Sequence, residues 1–169
     1  MQDLLVQDIM TRDVYAVAPD TDLGTVAALF SLRHISGVPV VDESGRPVGI
    51  VTKTDLLAPG TRRRSQGGRP IYYRLRDGAI QALGSPREDN VAQDGVAGDV
   101  MSAYLFTVSP TSPVVDAMRL MTGDEVHRVV VADGGRIVGI VTTMDLLRAA
   151  LRWVDEQKAY EADVGAADS

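Results

Sequence analysis

Apolar residues along this chain recur with two alternating periods. Leu23, Val26, Ala27 and Phe30 fall at i, i+3, i+4 and i+7, one face of a helix, and Val114, Ala117, Met118 and Met121 repeat that spacing. Thr21 and Ser112 are the N-cap candidates, and Pro113 suits a first helical position. A short strand precedes each helix, at Val14 to Val17 and at Leu105 to Val108. Two apolar strands joined by a tight turn follow each helix. The first pair is Val38 to Val41 and Pro47 to Val51 around Glu43-Ser44-Gly45; the second is Val129 to Ala132 and Ile137 to Val141 around Gly134-Gly135. Their near-continuous Val and Ile content predicts burial on both faces. A further helix starts after Thr52 and after Thr142, so each unit reads β-α-β-β-α.

The two units are copies. A shift of roughly 90 residues lays Asp8 on Asp99, Met10 on Met101, Val17 on Val108, Val40 on Val131 and Asp42 on Asp133. One residue then drops out in the turn, and Gly49-Ile50-Val51-Thr52 meets Gly139-Ile140-Val141-Thr142, followed by Asp55-Leu56-Leu57 on Asp145-Leu146-Leu147. One such unit cannot easily cover its own sheet, so two copies should pack together in an α/β (α+β) fold.

Between the copies lies a different stretch, 58–95, with seven arginines and four acids. Its middle, Ile71 to Leu83, reads as a helix weakened by Gly78, so the segment is expected to be partly helical. The expected organisation is 1–57 for the first unit, 58–95 for the arginine-rich insert, 96–154 for the second unit, and 155–169 for an acidic helix end and tail. Met144, Leu147, Leu151 and Val154 carry the last helix into that tail, which is expected to fray from Val164.

Composition narrows the function. Hydrophobic residues are 45% and aromatics 5%, so the core is aliphatic. The net charge of −6 argues against general binding to nucleic acid or anionic membranes. The absence of cysteine suits a reducing cytosol, the first ten residues have no basic apolar leader, and no apolar run approaches the ~20 residues of a membrane helix, so a cytoplasmic protein is expected. There is no cysteine nucleophile, P-loop, dinucleotide fingerprint or metal-spaced cluster, and only two histidines, so no enzyme is expected.

The repeated pattern V-P-V-V-D, then G-x-x-V-G-I-V-T-x-x-D-L-L, resembles paired cystathionine-β-synthase (CBS) motifs. It stands here as Val38 to Asp42 with Gly45 to Leu57, and as Val129 to Asp133 with Gly135 to Leu147, where Val130 and Ala132 depart from the first copy. Asp8 to Met10 and Asp99 to Met101 look like the family's opening segment. The resemblance covers about two thirds of the chain. It implies a pseudo-twofold pair packed through its sheets, a Bateman module, with two clefts between the motifs. Those clefts commonly hold AMP, ADP, ATP, S-adenosylmethionine or related ligands, some members bind none, and two pairs often form a disc-shaped dimer.

Thr52 and Thr142 close a strand and open a helix, where free backbone N–H groups and the dipole suit a phosphate. Asp55 and Asp145 follow three residues later; a carboxylate repels phosphate and suits the ribose diol, as the resemblance also implies. The same Thr-x-x-Asp is equally a capping box that needs no ligand. His127 and Arg128 resemble the phosphate-contacting segment of the γ subunit of AMP-activated protein kinase, and Arg offers a permanent planar fork. The preferred cleft is therefore expected to hold Thr142, Asp145, His127 and Arg128, with adenine against Met10, Tyr15, Ile35 and Gly37. The other would hold Thr52, Lys53 and Asp55, walled by Met101, Phe106 and Val126. His34 reads as a basic residue at a helix C-terminus. The arginines of the insert, Arg62, Arg63, Arg64, Arg69, Arg74 and Arg76, read as a solvated loop. Tyr72, Tyr73 and Trp153 read as packing residues.

The expected function is regulation: an adenosine-containing ligand bridges the motifs, shifts a conformational equilibrium and controls a partner, in a homodimer and with no catalytic cofactor. The alternatives are a ligand-free dimerisation or interaction module and a nucleic-acid binder acting through the insert.

Overall fold

In a computed structural model, the structure describes residues 4–57, 71–76, 79–84 and 95–167. The first unit contains β1 (Val14–Val17), α2 (Leu23–Arg33), β2 (Gly37–Val41), β3 (Pro47–Thr52) and α3 (Lys53–Leu57), preceded by the single turn α1 (Val6–Ile9). The second contains β6 (Thr107–Val108), α5 (Val114–Gly123), β7 (Arg128–Asp133), β8 (Arg136–Thr142) and α6 (Thr143–Ala167), preceded by α4 (Ala97–Val100). In both copies the first strand pairs parallel with the second across a helical crossover, and the second pairs antiparallel with the third. A register shift recurs at Val40/Val41 and at Val131/Ala132.

Asp22, rather than Thr21, caps α2, accepting the Thr25 N–H at 2.9 Å. Pro113 stands at the N-cap of α5, one position before the helix proper, and supplies no side-chain bond. The last helix continues to Ala167, past the Val164 limit expected from the sequence.

The insert contains no helix among its described residues. Residues 71–84 form a hairpin, β4 (Ile71–Arg76) and β5 (Ala79–Gly84), which extends the first sheet to the order β3-β2-β1-β4-β5. Arg76 pairs with Ala79, and the sequence between them, Asp77-Gly78, which lies outside the described residues, is a dipeptide with a strong hairpin preference. Tyr72 is buried in the first unit's core, and Leu75, on the opposite face of β4, is buried between the two sheets. Arg62, Arg63, Arg64 and Arg69 lie outside the described residues. Arg74 forms a two-pronged ion pair with Asp13.

The opening segments change places. Val6 and Met10 are buried in the second unit's core with Val114, Ala117 and Val141. Ala97 is buried in the first unit's core, with Met101 packed against it. Thr11 exchanges two backbone hydrogen bonds with Ile140 on β8, and Ser102 exchanges two with Ile50 on β3. The sulfur of each methionine slides over a strand glycine: a Cβ on Gly139 would lie 2.5 Å from Met10 Sδ, and one on Gly49 would lie 2.8 Å from Met101 Sδ. Each unit of the sequence therefore lends its first turn to the other. A third cluster, with Val14, Ala16, Val41 and Leu75 from one sheet and Val130 and Ile137 from the other, joins the sheets face to face. No helix among the described residues is long and apolar enough to cross a membrane.

Candidate functional site

Strands β3 and β8 end at the seam between the two units, and the helix after each starts there. At the start of α6, the Asp145 carboxylate accepts from Thr142 N at 2.8 Å and from Thr142 Oγ1 at 2.6 Å. At the start of α3, Asp55 accepts from Thr52 N and from Thr52 Oγ1, both at 2.7 Å. In both copies the aspartate thus returns to the residue that opens the helix, and at Thr142 the box closes with Asp145 N donating to Thr142 Oγ1 at 3.4 Å. All four carboxylate bonds end on Oδ2, which leaves each Oδ1 out of the box; among the described residues Asp145 Oδ1 pairs with Arg148, at 3.5 Å. The capping bonds therefore use one oxygen of each carboxylate.

Two clefts open along the seam. The first has a volume of about 510 Å³ and is lined by Thr52, Lys53 and Asp55 together with Phe106, Glu125 and Val126 from the other unit. The second, of about 720 Å³, is lined by Thr142, Asp145 and Arg148 together with Tyr15, His34, Ile35 and Gly37. Both volumes are in the range of small-molecule sites. The sequence-expected sets come together with two exceptions. Met10 and Met101 line neither cleft, because the exchange of opening segments buries them beside Gly139 and Gly49. Thr11 and Ser102, their neighbours in each segment, line the clefts instead.

Sequence reasoning missed further contributors. Asp13 and Arg148 line the second cleft, Tyr104 the first. His34, read only as a helix-end cation, adopts the left-handed conformation with φ 53° and also lines the second cleft. Glu125 occupies the equivalent place in the other copy, φ 54°, and lines the first. The duplication itself pairs His34 with Glu125, so the swap of a base for an acid was available from the alignment of the repeats.

The wall of the second cleft is braced from the insert. Tyr15 packs on Tyr72 with ring centroids 6.0 Å apart, and the Arg33 guanidinium lies 4.7 Å over the Tyr15 ring. The Arg74 guanidinium bonded to Asp13 holds that carboxyl below the usual aspartate range, against the opposing effect of partial burial.

Arg128 reaches along the seam to the other unit, donating from Nη2 to Ser36 Oγ at 2.7 Å. Desolvation lowers its pKa from the usual arginine value, and a guanidinium stays charged through such a shift. That serine contact is its one hydrogen bond among the described residues, so a partly desolvated cation stands here with a neutral partner. The same residues show no group of three or more His, Cys, Asp or Glu side chains placed to hold a metal ion.

Residues 6–58 and 97–152 each match the family model of the CBS domain. The Methanocaldococcus jannaschii protein MJ1426 is 28% identical over 88% of this chain and 92% of its own length. The chloroplastic CBS domain-containing protein CBSX2 of Arabidopsis thaliana is 29% identical over 87% of this chain, which spans 63% of that relative, and only 32% of the M. jannaschii protein MJ1404 is spanned. A crystal structure of CBSX2 in complex with AMP is similar with a TM-score of 0.64 and 26% identity, over 88% of this chain and 96% of that one. The CBS domain pair of MJ0100, solved in complex with 5′-methylthioadenosine and S-adenosyl-L-methionine, shares the fold at a TM-score of 0.62 and 22% identity, over 86% of this chain and 94% of that one.

Proposed function

The chain belongs to the CBS-domain family, and from that premise we propose that it is a regulatory module that binds an adenine nucleotide or a related adenosine ligand at the seam between its two motifs. The observation that carries this reading is Arg128, a partly buried guanidinium without an anionic partner among the described residues, in a 720 Å³ cleft whose opposite wall is the start of α6. Phosphate belongs beside Arg128 and His127, facing the positive end of the α6 dipole. The ribose diol donates to Asp145 Oδ1. Adenine lies against Tyr15, Ile35 and the backbone at Gly37. CBSX2 was crystallised with AMP, which supports the same ligand class here. The first cleft, with Thr52, Lys53, Asp55, Phe106 and Val126, is a second site of the same design carrying Glu125 in place of His34.

The ligand touches both units, so its binding favours the arrangement in which the seam is closed and shifts the population toward it. A partner protein reads that shift. The chemistry is binding and not bond-making, in the cytoplasm. We extend the reading to a homodimer. Met144, Leu147, Leu151 and Val154 form a stripe on α6 with spacing three, four, three, and they are 38–57% exposed, which suits a second copy of the same helix.

The test is thermal unfolding with AMP, ADP, ATP and S-adenosylmethionine. A ligand held only by the folded chain at 100 times its Kd raises stability by about 2.7 kcal/mol. No shift with any of the four at millimolar concentration returns the chain to a ligand-free assembly module.

A further inference from the structure

Arg128 stands where the two clefts meet. It lines both, as do Ser36 and His127, whereas the permanent cations Lys53 and Arg148 line one each. The duplication sets Arg128 against Gly37. At the pseudo-twofold axis one copy therefore places its longest cation where the other places no side chain. A Cβ on Gly37 would lie 2.0 Å from Arg128 Nη1, so the guanidinium fills the space that the glycine leaves. The seam thus has one such fork for two clefts.

We propose that the clefts compete for this single guanidinium, so that an anionic ligand in one weakens the binding of a second anionic ligand in the other. The proposal rests on reading the clefts as nucleotide sites. A planar fork engages one phosphate in a two-pronged geometry, and serving a second group means giving up that geometry. The other charged groups do not share the load. Of the two clefts, Lys53, Asp55 and Glu125 line the first and not the second; Asp13, His34, Asp145 and Arg148 line the second and not the first. His127 lines both, but its ring lacks the two-pronged fork that a guanidinium offers a phosphate. Coupling of this kind is reciprocal: whichever cleft fills first lowers the affinity of the other by the same factor.

Adenosine separates charge from shape. It carries the base and the ribose and nothing that claims Arg128. Calorimetric titration of the full chain with AMP and with adenosine, in the wild type and in Arg128→Ala, reads the coupling directly. In the wild type the second AMP should bind about tenfold more weakly than the first, or more weakly still, the loss expected for one charge-assisted hydrogen bond. The two adenosine affinities should differ by far less. In Arg128→Ala the AMP gap should close, with both sites weak. Gly37→Ala, whose methyl displaces the guanidinium, should also narrow the gap. A wild-type AMP gap no larger than the adenosine gap, or one that survives Arg128→Ala, overturns the coupling and leaves the nucleotide reading standing. Heat with neither ligand overturns both. If Arg128→Ala does not fold, the contrast between AMP and adenosine in the wild type decides.

Discussion

Replacing Asp145 by alanine tests whether it is a helix cap alone or also the proposed ribose contact, because the capping bonds occupy one oxygen and leave the other out. Oδ2 holds Thr142 N at 2.8 Å and Thr142 Oγ1 at 2.6 Å. Asp55 makes the same two bonds in the other copy, at 2.7 Å each. Losing a cap of this kind costs about 1 kcal/mol, which for a chain of this size lowers the Tm by roughly 2–4 °C. Asp145→Ala and Asp55→Ala should therefore fall by similar amounts in a thermal melt. Ligand affinity should split them. Charge-assisted bonds from the ribose hydroxyls to Oδ1 contribute about 1.5–3 kcal/mol, so Asp145→Ala should raise the Kd of the tighter AMP site by about 10- to 150-fold. Asp55→Ala should leave that site within about threefold, since Asp55 lies in the other cleft. Calorimetry at fixed salt measures both. If the Tm of Asp145→Ala falls as predicted while its AMP affinity stays at the wild-type value, the carboxylate is a cap alone and the ribose assignment is wrong.

Gly139→Ala should destabilise the fold by about 1–3 kcal/mol, as overpacking does, because the new methyl meets Met10 Sδ at 2.5 Å and Thr11 O at 3.2 Å. Urea unfolding with an unchanged midpoint would show that the opening segment does not lie across β8. The Asp13–Arg74 pair predicts an acid-side slope. The folded-state pKa of Asp13 is depressed, so its contribution is present above the unfolded value near 4 and is lost as pH falls through the folded one. The pair is more than a third exposed on the Asp13 side, so the effect is modest and weakens in salt. Arg74→Ala should flatten stability against pH below about pH 4, and an identical acid slope in the variant would refute the pairing. Leu151→Glu should convert a dimer to a monomer in sedimentation velocity, since Leu151 is 57% exposed within the α6 stripe; an unchanged sedimentation coefficient removes that helix from the interface.

Periodicity and the repeat made most of the two units legible, because strands and helices of this length are fixed by which residues face inward. The insert was misread for a physical reason. Ile71-Tyr72-Tyr73 are β-formers and Asp-Gly is a dipeptide with a hairpin preference, whereas a helix reading counts Gly78 only as a weak point. The methionines were misplaced for a different one. A linear reading assigns Met10 to its own unit, whereas the core that accepts it belongs to the other. The clue was in the repeat: Gly49 and Gly139 sit inside strands rich in Val and Ile, where a missing Cβ marks a close approach by another segment.

That exchange bears on what the aspartates mean. Asp8 accepts from Leu5 N at 2.9 Å and Asp99 from Val96 N at 3.2 Å, the same three-residue return that Asp55 and Asp145 make. Four aspartates of the repeat thus have a purely local reason to exist, and their recurrence is no evidence for a ligand. What singles out Asp55 and Asp145 is position. They sit where β3 and β8 deliver a helix start to a cleft, while Asp8 and Asp99 line neither cleft. The difference between the two clefts lies in the departures from the repeat: His34 against Glu125, Tyr15 against Phe106, Gly37 against Arg128. Symmetry built the pair of sites, and the side chains that break it set what each can hold.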